Sequence, residues 1–409
     1  MLVIGDMKVQ KKLSISIVLI AISSVTAWCS LPIGNTFIWW TLDAFVLYTL
    51  YGLKDKHHNN VVINLWLLMI AVNFLYGACL MTTDYWDWKL LIDNTMVFCM
   101  PIVAYMMKNE SYLSNAMKLY LKYAVFLLLV LSPFLGGDAY GRFLTPYLVL
   151  ALFWKAISKK YRWHVLIAVG LVMTLGSCSR SAMVCYGVAL IVGLYAWKFA
   201  EYHSFLSVLK KARIVLFSLP VIFLFLGLSG TFNIFAIEEE LDLSEDKYSI
   251  STYSGEQMSM VTDTRTGLWM EEIESAVRND YVIQGRSMAR GYDSVLFGFL
   301  MKQITGKEER PSCETNILNI FNYFGLIGVV LYSIIFLLAT HRAMYRSNNM
   351  YMQIVGLYLS FRWLFSWIED FTRFDLNMMF IWILVGMCYS KRFLKMNDEE
   401  FKVWIKSFA

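Results

Sequence analysis

Five arginines and one glutamate carry the chemistry that residue type and position suggest. Arg180 stands in Ser177-Cys178-Ser179-Arg180-Ser181, just ahead of an apolar run, so it begins a helix whose N-terminal end is already positive. A cation is unfavourable there unless an anion sits beside it, and the free backbone N–H groups of that end bind the same anion. The alternative is an interfacial arginine on a lipid phosphate. Arg142, in Gly141-Arg142-Phe143, stands at the start of another apolar run, and Arg286 and Arg290 share a face if their stretch is helical. Arg265 lies one turn ahead of Leu268 and Trp269, on the apolar side of a helix whose face continues through Ile273, Ala276 and Val277. A planar guanidinium bonds two phosphate oxygens at once, so an arginine cluster suits phosphate better than lysines do. Scattered salt bridges with nearby acids are the other reading, acceptable for Arg290 and harder for Arg265.

Glu314 lies in Pro311-Ser312-Cys313-Glu314-Thr315-Asn316, at the opening of a long apolar run. It either complements a helix dipole or does chemistry. Asn316, Asn319 and Asn322 continue a polar stripe at helical spacing, which in a membrane span faces protein or a watery cavity rather than lipid. Arg362 lies inside a later run with Glu369 and Asp370 beyond it, a group that reads as structural ion pairing. Asp43 and Asp93 are acids within further runs, with no partner visible in the sequence.

Elements that position these groups follow from composition. Hydrophobic residues are 58% of 409, charged residues 16%, and mean hydropathy is +0.52. A soluble domain carries about a quarter charged residues, so this chain lacks a water-facing surface. Apolar runs near the length of a bilayer crossing cover 13–33, 35–53, 61–82, 90–107, 119–135, 143–157, 161–178, 181–199, 214–230, 314–340, 351–368 and 374–390. The expected fold is therefore an all-α integral membrane protein of about twelve transmembrane helices. Nine lie within 1–230, a large loop covers 231–312, three more lie within 313–390, and 391–409 is a tail. Pro146 makes the sixth run the weakest. Lysines and arginines cluster at every second connection, which predicts cytoplasmic termini and a large outer loop. Bulky Trp28 argues against cleavage of the first run as a signal peptide.

Within the loop, the acidic, Ser-rich stretch 238–260 reads as mobile, 262–277 as a capped helix, and 281–285 as an extended segment ending in a tight turn. The basic cytoplasmic connections call for anionic membrane lipids rather than nucleic acid. The seven cysteines show no CxxC pair and read as small buried hydrophobes; no metal site is expected. No nucleotide-binding, zinc-protease or serine-hydrolase signature is present in the sequence.

The Ser-x-Ser-Arg-Ser junction, the Thr264-Arg265-x-x-x-Trp269 opening of the loop helix and the polar start of the following run resemble the O-antigen polymerase and ligase superfamily. The motifs span Gly141 to about Val330, and the architecture matches over the whole chain. The resemblance implies a bacterial inner-membrane glycosyltransferase acting at the periplasmic face. Donor and acceptor would be glycans on undecaprenyl pyrophosphate, with no cofactor and with a chain-length regulator as a candidate partner. It casts Arg180 and Arg265 as the pyrophosphate grip, with Arg142, Arg286, Arg290, Trp269, Asn316 and Asn319 around the substrate. Ligases of this superfamily usually carry His-Asn where this chain has Glu314-Thr315-Asn316, so the acid points to a polymerase with Glu314 as general base. Transfer to lipid A-core by a ligase is the nearest alternative. A lipid-linked glycan flippase is the other class, disfavoured because the non-cytoplasmic arginines gather at one face.

Overall fold

The apolar runs fold as helices almost throughout, in a computed structural model that describes residues 2–26, 28–30, 34–53, 60–175, 180–229, 249–251, 257–259 and 264–409. In chain order the helices are α1 (Leu2–Thr26), α2 (Thr36–Tyr51), α3 (Val61–Tyr76), α4 (Tyr85–Phe98), α5 (Glu110–Leu131), α6 (Gly137–Phe143), α7 (Thr145–Leu152), α8 (Lys159–Thr174), α9 (Arg180–Phe199) and α10 (Phe205–Leu228). The loop contributes α11 (Thr264–Arg278) and α12 (Gly298–Thr305). Then come α13 (Asn316–Tyr345), α14 (Met350–Phe365), α15 (Leu376–Tyr389), α16 (Lys391–Lys395) and α17 (Asp398–Lys406). Two small antiparallel pairs, β1 (Ser249–Ser251) with β2 (Gln257–Ser259) and β3 (Tyr292–Asp293) with β4 (Glu309–Arg310), lie in the loop.

Among the described residues, five stretches are long and apolar enough to cross a membrane by length and composition: Val61–Met81, Tyr85–Met107, Glu110–Phe134, Arg180–Phe199 and Asn316–Tyr345. This is a multi-pass, all-α membrane architecture. Its outer surface agrees. Along α3, Val61, Leu65, Leu68, Val72 and Leu75 are exposed while Ile63, Trp66, Ile70 and Asn73 are buried. An apolar helix with one stripe exposed is covered by lipid, not water. At the centre, α15 is buried along nearly its whole length. The Trp66 ring meets Phe98, Phe324, Tyr332 and Trp382 at centroid distances of 5.7–6.4 Å, and its Nε1 donates to the Phe98 carbonyl at 3.0 Å.

The sixth run is not one helix. Pro146 cannot donate to a continuing ladder, so the chain forms α6, breaks at Leu144 and restarts as the buried α7. Eight residues of helix reach only about 12 Å, too short to cross alone. The loop helix α11 forms over the expected stretch, yet its buried face carries Leu268, Glu272, Ser275 and Ala276, while Val277 is exposed. The segment after it is a turn rather than extended chain: Gly285 N donates to the Tyr281 carbonyl at 2.8 Å. The stretch expected to be mobile lies mostly outside the described residues, apart from β1 and β2.

That turn splices into α13. Gly325 sits at φ +63° and ψ −161°, a backbone open essentially to glycine, and breaks α13 in two. The freed Leu326 and Ile327 amides donate to the Val282 and Ile283 carbonyls at 2.9 and 3.2 Å. Arg286 N donates to the Asn322 carbonyl at 2.6 Å, and Asn73 Nδ2 to that of Tyr323 at 2.8 Å. The broken ladder is thus satisfied by the loop and by α3, as a buried membrane helix requires.

Contacts sort the connections into two ends. At one end, Ser30 N meets the Phe134 carbonyl at 2.9 Å, Lys307 pairs with Asp84 at 2.8 Å, and Asn316 N meets the Glu369 carbonyl at 3.2 Å. At the other, Arg392 pairs with Glu110 at 3.0 Å, Asn348 N meets the Leu394 carbonyl at 2.9 Å, and Trp404 Nε1 donates to the Glu110 carbonyl at 3.1 Å. The loop sits at the first end, and the amphipathic α17 closes the second.

Candidate active site

Three adjoining cavities run across the loop end. The first, about 330 Å³, lies between α4 and the loop and is bordered by Asp87, Lys89, Asp93, Met301, Lys307 and Glu309. The second, about 260 Å³, is lined by Ser23, Ser24, Trp28, Asp43, Asp93, Asn94, Arg142, Thr372, Arg373 and Asp375. The third, a narrow crevice of about 40 Å³, is lined by Asp138, Arg142, Ser181, Cys185, Arg362, Glu369 and Asp370. Asp93 borders the first two and Arg142 the last two, so the three adjoin in series as a cleft walled at those residues.

Arg142 stands on α6, which packs against the start of α9 so closely that a Cβ on Gly141 would lie 2.6 Å from the Ala182 Cβ. Its guanidinium pairs with Asp375, whose other oxygen caps α15 by accepting from Met378 N at 2.8 Å. Arg142 and Arg373 both lie over the Trp28 ring, at 5.7 and 5.3 Å. Asp375 therefore holds one arginine in place at the junction of two chambers.

Arg362 sets the character of the third. It is 2% exposed, with Nη1 2.7 Å from Cys185 Sγ and its guanidinium 4.5 Å from the Phe371 ring. Nε and Nη2 have no partner in good hydrogen-bond geometry, although the Tyr358 hydroxyl interacts with the guanidinium. The expected ion pairing is not formed: among the described residues Arg362 has no carboxylate partner, and Asp370 accepts instead from the Thr372 amide at 2.9 Å and from its hydroxyl. A guanidinium stays charged in proteins, so a buried one without a carboxylate partner strongly favours an anion. One turn before Arg142, Asp138 lines the same chamber, and its Oδ1 is buried without a partner. Arg180, the first residue of α9, is exposed next to Ser181 at the rim.

Other arginines of the loop are committed to loop acids. Arg290 Nε donates to Glu309 Oε2 at 2.8 Å, and Arg286 reaches the other Glu309 oxygen at 3.2 Å and Asp293 at 2.8 Å. Burial pushes the Asp293 carboxyl up, but the bonds from Arg286 and Asn279 outweigh it and hold the group below its usual range. Arg310, which the sequence reading passed over, pairs with Glu314 at 2.9 Å and lies 4.0 Å from the Phe297 ring. For Arg286 and Arg290 the salt-bridge reading is the one realised.

Glu314 precedes α13 by two residues, is half exposed, and borders none of the three cavities. Asn319 is buried and used inside the protein: Oδ1 accepts from Cys313 N at 2.7 Å, and Nδ2 donates to the Cys313 carbonyl and Thr372 Oγ1 at 3.0 and 3.2 Å. Asn322 donates to the Arg290 carbonyl at 3.0 Å, and Asn316 is buried. Asn319 and Asn322 face protein and fasten the loop to α13, whereas Asn316 Oδ1 and Nδ2 are buried without a partner in good hydrogen-bond geometry. Trp269 stacks on Trp367 at 5.9 Å, tying α11 to the connection that supplies Glu369 through Asp375. Arg265 lies one turn ahead of Trp269 on that helix; its side chain is outside the described set.

Asp138, Arg373 and Asp375 escaped the sequence reading. Their signal was faint: an Asp-x-x-x-Arg pair at the start of a short run, and Thr372-Arg373-Phe374-Asp375 compressed into a connection between two runs. No family model matches the chain, and no curated protein matches it.

Proposed function

We propose that this chain is a membrane glycosyltransferase that polymerises lipid-pyrophosphate-linked oligosaccharide repeat units, with the reaction in the cleft of Arg142, Arg362 and Asp138. The reading adds that the chain crosses a bacterial inner membrane about twelve times, with both termini cytoplasmic and the loop periplasmic. Runs of lysine and arginine at 155–162, 198–213 and 391–395, away from the loop, support that orientation. The observation that carries the function is Arg362, buried without a carboxylate partner among the described residues in the wall of a chamber that Arg142 and Asp138 also line.

The chemistry follows from those groups. A sugar hydroxyl of the acceptor attacks C1 of the donor, the bond from C1 to the pyrophosphate oxygen breaks, and Asp138 takes the hydroxyl proton. Charge growing on the departing pyrophosphate meets Arg362 and Arg142 in a site of low dielectric, where fixed donors act most strongly. Arg180 at the rim draws the anion in. Glu314, spent on Arg310, keeps a structural part in this scheme.

Proteoliposomes given a defined undecaprenyl-pyrophosphate repeat unit test it. A ladder of lipid-linked chains on a gel is the expected product. Absence of a ladder with folded protein ends the polymerase reading, and transfer only when lipid A-core is supplied replaces it with a ligase.

A further inference from the structure

The loop helix α12 turns its apolar side outward. Val295 is 86% exposed and Phe299 62%, and Leu296, Leu300 and Ile304 are exposed with them. Spacing of one to five residues places Phe299, Leu300 and Ile304 on the exposed side of α12, and Val295 and Leu296 lie in the turn just before it. A patch of five large apolar residues on a loop meant for water is covered by something.

What covers it follows from its neighbours. Tyr85, Trp86 and Trp88 are exposed at the start of α4, with Lys89 5.1 Å from the Trp86 ring. Amphipathic rings with a lysine at the mouth of a crossing helix are the composition of a membrane–water interface. Lys307, two residues past α12, pairs with Asp84 at 2.8 Å and with Asp87, which fixes α12 beside that helix end. Met301 and Ile304 face Trp86 and Leu90 across one cavity. The α12 patch thus lies beside the aromatic belt at the start of α4.

We infer that α12 and the turn before it form an interfacial anchor whose Val295, Leu296, Phe299, Leu300 and Ile304 are seated in phospholipid at the level of the α4 belt. The inference does not depend on the reaction that the cleft performs. It makes the outer wall of the first chamber a lipid-level wall.

An environment-sensitive fluorescent amino acid at Phe299, in purified protein in phospholipid nanodiscs, tests it. Position Val295 serves as a second site that no packing constrains, and exposed Glu274 on α11 as the aqueous control. Spin-labelled phospholipids should quench positions 299 and 295 at least threefold more than position 274, with iodide giving the reverse order. Free quenching by iodide at 299 and 295 overturns the anchor. Shielding from both quenchers also overturns it, because a second copy or another protein then covers the face.

Discussion

Replacing Arg362 by Met separates an anion site from a structural residue. The side chain is buried with Nε and Nη2 lacking a partner in good hydrogen-bond geometry, so it loses solvation at two donors with little return. Each buried unsatisfied donor costs about 1–3 kcal/mol, and the contacts with Cys185 and Phe371 return about 1 kcal/mol each. Met fills similar volume without the charge, and replacing buried ionic groups by apolar ones gains about 1–4 kcal/mol. Arg362→Met should therefore stabilise the protein by about 2 kcal/mol, which for a chain of this length raises Tm by roughly 2–4 °C. Turnover should move the other way: losing one preorganised donor to a developing oxyanion costs about 10²–10³ in kcat. Unfolding in detergent followed by tryptophan fluorescence reads the first, and a chain-length gel with defined donor reads the second. Arg362→Lys should rescue poorly, because an ammonium lacks the planar fork. A Met variant that melts well below the parent while still making the full ladder refutes the reasoning, since the guanidinium would then be structural.

Asp138→Asn keeps size but cannot accept the proton; turnover should fall by about two to four orders of magnitude with donor binding intact, measured by product ladder and donor titration. Burial drives the Glu272 carboxyl well above its usual range, against the pull of Arg286 and Arg310. The folded state then binds the extra proton, so stability is lost as pH rises from the unfolded value of 4.5 through the raised folded one. Glu272→Met should flatten that decline and, at pH 8, gain about 1–3 kcal/mol in thermal unfolding, because both carboxylate oxygens lack partners. Gly325→Ala forces a Cβ to within 2.3 Å of the Ile283 carbonyl oxygen at a positive φ. It should cost about 3 kcal/mol or more and free the loop for proteolysis between α11 and α12.

Helix positions were legible because they depend on local periodicity. An apolar run of bilayer length has few other options, and Gly325 aside, α3, α9, α13 and α15 fall where the runs lie. Interest in arginines at the loop end was legible too, since a charge in or beside an apolar run is costly wherever it sits. Partners were not. Arg142 and Asp375 are 233 residues apart, and Arg362 and Cys185 are 177 apart, so nothing local links them. Arg286 and Arg290 resemble Arg142 in sequence, yet Glu309 claims them, and the second and third chambers are lined by Arg142, Arg362 and Arg373 instead. Glu314 looked like the acid at the right place because it opens α13, but Arg310, four residues before it, takes its carboxylate. Asn319 read as a sugar ligand because polar atoms in a span must face something; only packing shows that this is the Cys313 turn. Residue type and period determine which groups are costly to bury. Which of them find a partner, and which are left facing a cavity, is decided by long-range packing that brings α6, α9, α14 and the connection before α15 to one end of the bundle.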